Sequence, residues 1–222
     1  MKKPLIKICG LTEPSDARHA VLAGADLVGL NFHPYSVRAV DFSTANCIAN
    51  VARTTHNPRR RGFKPAVVAV FVNPPSELVE AVVDEVSPDL LQFHGDETVE
   101  DCLRYNHPFI KGVRLADHAS VDSIADYITP LSKTFLVDAH SAKRYGGTGK
   151  RISMGLAERA LQKGPGFLAG GLNPANVAEA IRALCPYGVD VASGVEVRPG
   201  QKSERLMYEF VQAVMTAHSI PG

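Results

Sequence analysis

The sequence predicts a single (β/α)8 TIM barrel with parallel strands, one domain over residues 1–222. Three observations carry that prediction. Short β-branched runs alternate strictly with helical patterns, and strict alternation gives parallel strands joined by right-handed crossovers. About eight such units fit into 222 residues, slightly below the ~250 usual for this architecture. A doubly wound open sheet is the structural alternative, but it needs fewer strands, and no GxGxxG opens the first unit.

The elements follow in order. Residues 5–9 (LIKIC) read as a buried strand, and 13–23 have helical spacing with Thr12 as N-cap. Residues 26–32 (DLVGLNF) form the second strand and 43–51 a helix. Residues 66–72 (AVVAVFV) are the third strand, followed by a helix over 76–86. The fourth strand is 89–93 with a helix at 97–105; the fifth is 109–115 with a short helix at 121–128. Residues 134–138 (TFLVD) are the sixth strand, with a helix over 152–162. The seventh is 166–169, and the helix over 174–184 places Pro174 in its first turn. The eighth strand is 188–192, and 203–217 form the closing helix. Residues 53–64, with Arg59, Arg60 and Arg61 together, read as a solvated loop on the bottom face of the barrel, away from chemistry.

Composition narrows the partners. Lys+Arg is 24 against Asp+Glu 23, so no bulk field favours nucleic acid or an anionic membrane. No apolar run approaches a membrane span, and the N-terminus lacks the features of a signal peptide. The four cysteines are scattered without a CxxC pair, which fits a reducing cytoplasm.

In this fold the residues at the C-terminal ends of the strands converge on one mouth. Those positions are Cys9, Asn31, His33, Asn73, His94-Gly95-Asp96, Arg114, Asp138, Gly170-Gly171 and Ser193-Gly194. Three glycine-bearing loops follow strands six, seven and eight: Gly146-Gly147-Thr148-Gly149-Lys150, Gly170-Gly171 and Ser193-Gly194. Glycine lets backbone N–H groups approach an anion, so this series points to a phosphate site. Cys9 ends strand one just before Gly10, and Asp138 ends an apolar strand where partial burial favours the protonated acid. A base and an acid beside a phosphate anchor suit proton-transfer isomerisation without a cofactor. Arg38, on the loop after strand two, has the fork that pins a carboxylate. His94 and Asp96 leave a metal pair as a rival reading, but no second histidine stands at ligand spacing.

These motifs, taken together, resemble one family. The segments Lys7-Ile8-Cys9-Gly10-Leu11-Thr12, Gly29-Leu30-Asn31-Phe32 with Ser36 and Arg38, and Val70-Phe71-Val72-Asn73 match it in order. So do Gln92-Phe93-His94-Gly95-Asp96-Glu97, Val137-Asp138 with Gly146 to Lys150, Gly170-Gly171-Leu172-Asn173-Pro174, and Ser193-Gly194-Val195-Glu196 with Lys202. The chain resembles phosphoribosylanthranilate isomerases of tryptophan biosynthesis over nearly its whole length. The resemblance implies an Amadori rearrangement of N-(5-phosphoribosyl)anthranilate to 1-(2-carboxyphenylamino)-1-deoxyribulose 5-phosphate. It implies Asp138 as general acid, Cys9 as general base, and Arg38 as holder of the anthranilate carboxylate. Gly147, Gly170, Gly171, Ser193 and Gly194 would hold the phosphate. It implies no metal and no organic cofactor, and a monomer or homodimer with a phosphorylated small molecule as its partner. The similar histidine-pathway aminoaldose isomerases carry an aspartate where Cys9 stands, so Cys9 favours the anthranilate substrate. A barrel that only binds a sugar phosphate, as a sensor, needs the anion loops but not both Cys9 and Asp138. The 53–64 connection is longer than usual for the family.

Overall fold

The computed structural model describes residues 3–57, 60, 62–132, 134–138 and 149–219. Eight parallel strands close into a barrel in sequence order: β1 (Leu5–Cys9), β2 (Leu27–Asn31), β3 (Ala66–Phe71), β4 (Leu90–Phe93), β5 (Phe109–Arg114), β6 (Phe135–Asp138), β7 (Gly166–Ala169) and β8 (Gly188–Val191). The seam pairs β1 with β8, placing Lys7 opposite Asp190. Helices α1 (Pro14–Ala23), α2 (Phe42–Thr54), α3 (Ser76–Val86), α4 (Val99–Leu103), α5 (His118–Asp122), α6 (Gly149–Leu161), α7 (Val177–Leu184) and α8 (Glu204–Ser219) follow the strands in turn. A short hairpin, β9 (Glu196–Arg198) and β10 (Gln201–Lys202), precedes α8. No helix among the described residues is long and apolar enough to cross a membrane.

The strands are apolar on both faces because both faces are covered. Their outward residues, such as Ile6, Ile8, Phe71 and Val137, pack with the helices in one continuous core. Their inward residues, including Leu27, Val68, Val70, Ile110, Leu136 and Phe167, fill the barrel interior up to Cys9 and Ala169. The interior is thus a packed floor, and the polar side chains near its top define the mouth.

Several element ends differ from the sequence reading, each for a local reason. Thr12 does not cap α1. Its hydroxyl donates to the Gly200 carbonyl at 2.7 Å, and Glu13 occupies the N-cap without a side-chain bond. Pro174 lies before its helix rather than in the first turn. The Asn173 and Ala175 amides bond to the Asn176 and Asn173 side chains, and this turn delays α7 to Val177. α4 begins only at Val99, capped by Thr98 and Asp101, because Glu97 points inward to Lys111 at 2.8 Å. α5 starts early, at His118, behind an Asp117–Ser120 capping box, and tightens into a 3₁₀ turn over Ser123–Tyr127.

The 53–64 connection is anchored where it is described, which corrects the reading of a merely solvated loop. Arg60 pairs with Asp26 at 2.8 Å and lies 3.6 Å over the Phe63 ring centroid. Asn57 is buried and donates to the Val21 carbonyl at 2.7 Å. Asp26 in turn accepts from the Ile6 amide at 2.8 Å, tying this loop to the start of the barrel.

Candidate active site

A cavity of about 280 Å³ opens at the C-terminal mouth of the barrel. Cys9 from β1 and Asp138 from β6 both line it, together with Gly170 and Gly171 after β7, Ser193 after β8, and Asp190 on β8. With Asn31 after β2 and His94 after β4, six of the strand ends picked from the sequence therefore share one small space. Cys9 is nearly buried, at 9% exposure, while the Asp138 side chain keeps 29%, so the thiol sits deeper than the carboxyl.

β4 adds two groups to the same cavity, Gln92 and His94. Gln92 Nε2 lies 3.1 Å from His94 Nδ1, and His94 Nε2 lies 3.9 Å from Asp138 Oδ2. Gln92 thus meets one edge of the His94 ring, and the ring turns its Nε2 edge toward Asp138. Below this loop, Glu97 accepts from the Asn73 amide at 2.7 Å, the Gly95 amide at 2.9 Å and the Lys111 ammonium at 2.8 Å. That buried cluster fixes the path of His94-Gly95-Asp96. Asp96 itself is exposed, and Arg114 is exposed at the end of β5.

The loops after β7 and β8 build the glycine wall. Gly170 and Gly171 have φ of 96° and 78°, a region that residues with a side chain rarely adopt, so the chain turns sharply beside the cavity. Gly194 passes directly under the Leu172 carbonyl, where a Cβ would collide with it. The two loops approach closely because both are bare at these points. Gly147 lies outside the described residues.

Arg38 packs over Gly10, the residue after Cys9; a Cβ on Gly10 would come within 2.5 Å of the Arg38 Cδ. Its backbone amide donates to Ser36 Oγ at 3.1 Å, and Asn31 Nδ2 donates to the same hydroxyl at 3.2 Å, so the loop after β2 is held as a unit. The guanidinium is not isolated. Nε and Nη2 donate to the two oxygens of Glu196 at 2.7 and 2.6 Å. Glu196 also accepts from Lys202 Nζ at 2.7 Å, and Lys202 donates to the Ala192 carbonyl at 3.0 Å. Burial alone would raise the Glu196 carboxyl, but the hydrogen bonds and charges of Arg38 and Lys202 hold it below the usual range. Burial lowers the Lys202 ammonium despite the opposing pull of Glu196.

The sequence reading assigned no role to Lys7, Asp190, Glu196, Lys202 or Gln92. One signal was there to find. Lys7 and Cys9 are two residues apart in a strand, hence on one face. A lysine in that position of an apolar strand faces the barrel interior with the thiol. Among the described residues no group of three His, Cys, Asp or Glu is arranged to hold a metal ion.

Comparison with known proteins decides the family. Residues 6–213 match the family model described as N-(5'phosphoribosyl)anthranilate (PRA) isomerase. The chain belongs to the phosphoribosylanthranilate isomerase family. A family member from Bordetella pertussis, an N-(5'-phosphoribosyl)anthranilate isomerase, is 41% identical over 224 residues, covering 97% of both chains. The phosphoribosyl anthranilate isomerase of Thermotoga maritima superposes with a TM-score of 0.79 at 31% identity, covering 96% of this chain and 99% of its own. A further solved isomerase is in complex with reduced 1-(o-carboxyphenylamino)-1-deoxyribulose 5-phosphate, with a TM-score of 0.77 at 29% identity over 96% of this chain and 99% of that one. Like these isomerases, the chain is a closed barrel of eight parallel strands alternating with helices.

Proposed function

We propose that this protein catalyses the Amadori rearrangement of N-(5'-phosphoribosyl)anthranilate to 1-(2-carboxyphenylamino)-1-deoxyribulose 5-phosphate, a step of tryptophan biosynthesis. The observation that carries the reading is the placement of a thiol, Cys9, and a carboxyl, Asp138, in one cavity walled by the glycine loops after β7 and β8. Family membership supplies the substrate.

In this reading Asp138 gives its proton to the furanose ring oxygen. The C1–O bond breaks, the anthranilate nitrogen contributes its lone pair, and a protonated Schiff base forms. Cys9, as thiolate, removes the C2 proton. The C2–H electron pair moves into the C1–C2 bond and neutralises the nitrogen, leaving an enolamine that tautomerises to the ketone. Both groups act only when correctly protonated: Asp138 as the acid, Cys9 as the base. The phosphate is held by the bare backbone at Gly170, Gly171, Ser193 and Gly194, with Gly147 on the third loop. Arg38 meets the anthranilate carboxylate with the donors that Glu196 leaves, and Glu196 keeps the fork oriented over Gly10. The reading requires no metal or organic cofactor. In this reading the barrel is a single domain that acts on a phosphorylated small molecule as a monomer or homodimer, without nucleic acid or membrane. All four cysteines are free, which supports a cytoplasmic setting.

The test is to generate the substrate in situ from anthranilate and phosphoribosyl pyrophosphate and to follow the loss of its fluorescence. Rapid loss on adding the protein is the expected result; no loss with folded protein overturns the assignment. Arg38→Ala tests the carboxylate contact. A charge-assisted hydrogen bond contributes about 1.5–3 kcal/mol, so KM is expected to rise about 10- to 100-fold. Lys202 still pairs with Glu196 in that variant, so the thermal midpoint should move little. An unchanged KM removes Arg38 from the site.

A further inference from the structure

Lys202 has no part in the chemistry described above, and its side chain is completely buried. A lysine taken out of water is costly unless its ammonium is paired and hydrogen-bonded. Here it reaches two acceptors. Nζ donates to Glu196 Oε1 at 2.7 Å and to the Ala192 carbonyl at 3.0 Å. The two acceptors belong to different parts of the site. Ala192 lines the cavity and leads directly into Ser193 and Gly194, the wall read as the phosphate anchor. Glu196 holds the Arg38 fork, read as the carboxylate anchor, through bonds of 2.7 and 2.6 Å. One ammonium therefore joins both anchors in a continuous series of hydrogen bonds that runs from Ala192 through Lys202 and Glu196 to Arg38.

The backbone around this series is tied down as well. Lys202 ends the β9–β10 hairpin, and Glu196 begins it. The Ser203 amide donates to the Val195 carbonyl at 2.9 Å and closes the base of the hairpin. The Gly200 carbonyl accepts from the Thr12 hydroxyl at 2.7 Å, on the loop just beyond Cys9 and Gly10. Gly200 has a φ of 82°, and a Cβ there would come within 2.9 Å of the Val37 carbonyl oxygen. The hairpin thus lies close against the loop that carries Arg38. The loops after β1, β2 and β8 all meet it, and Lys202 is its buried side chain.

We propose that Lys202 is a positioning residue that fixes the separation between the phosphate wall and the Arg38 fork, and so selects a ligand carrying a phosphate and a carboxylate at that separation. Spacing matters only to a ligand held at both ends. Its second contact is intramolecular, and the gain is lost when the two anchors cannot be met at once. A ligand held at one end does not sense the spacing. The inference rests on the reading of these loops as the two anchors of the substrate.

The experiment measures Kd by titration calorimetry on the full-length protein for three ligands. Reduced 1-(o-carboxyphenylamino)-1-deoxyribulose 5-phosphate carries both groups; inorganic phosphate and anthranilate carry one each. In Lys202→Met, Arg38 retains its two bonds to Glu196, so the fork itself survives. Each one-ended ligand is expected to bind that variant within about threefold of wild type, while the two-ended ligand binds about 10- to 100-fold more weakly, the usual effect of a misplacement of about 1 Å. Lys202→Gln keeps a donor that is one atom shorter, and it supplies the same comparison if Lys202→Met does not fold. Equal weakening of all three ligands overturns the proposal and marks Lys202 as merely structural. Unchanged binding of all three overturns it too, since the spacing is then set elsewhere. Wild-type protein that holds the two-ended ligand no more tightly than phosphate sinks the substrate assignment and this proposal with it, whereas tight wild-type binding with an unselective variant sinks the proposal alone.

Discussion

Cys9→Ala is expected to lower kcat for the rearrangement by ~10²–10⁴-fold, the usual range for a positioned acid–base group. The side chain ends β1 on the cavity wall, so truncation enlarges an existing space and leaves the packed floor of Leu27, Val68, Val70 and Leu136 intact. The thermal midpoint should therefore change little while turnover collapses. Loss of a base also changes the pH profile. The base must be deprotonated to act, so wild-type activity falls as pH drops through its ionisation, and that limb is absent from the residual rate of the variant. A variant that keeps near-normal turnover would remove Cys9 from the chemistry, whatever its charge state.

Asp138→Asn is the complementary case, with an expected loss of ~10²–10⁴-fold in kcat. Asparagine has the shape of the acid and can still meet His94, but it has no proton to give the ring oxygen. The acid must be protonated to act, so wild-type activity falls as pH rises through its ionisation, and asparagine abolishes that limb. The two substitutions thus erase opposite sides of the pH profile, which a shared structural defect would not do. Retention of wild-type kcat by folded Asp138→Asn would show that ring opening needs no acid from β6.

The barrel was legible because its strands are apolar on both faces and each run stops at a polar residue or a glycine. Leu5–Cys9 and Phe135–Asp138 end on the two groups proposed for the chemistry, and that ending is visible in the sequence. Helix starts were less legible because capping groups have competitors. Thr12 looks like an N-cap, but a carbonyl 188 positions away takes its hydroxyl. Glu97 looks like the start of a helix, but a lysine on the next strand draws it inward. The same limit hid the electrostatics of the site. Arg38 has the right side chain for a carboxylate, and only the fold shows that Glu196, 158 positions on, already holds two of its donors. The spacing of Lys7 from Cys9 puts both on one face of β1, but only the fold brings its partner Asp190, 183 positions on, to 2.8 Å.

The Lys7–Asp190 bond joins the strands that close the barrel, and the two residues are 183 positions apart. A ribosome delivers the ammonium among the first residues and its counter-ion nearly last. Until the eighth strand arrives, burying that charge alone costs several kcal/mol. β1 therefore gains its final seat late in synthesis.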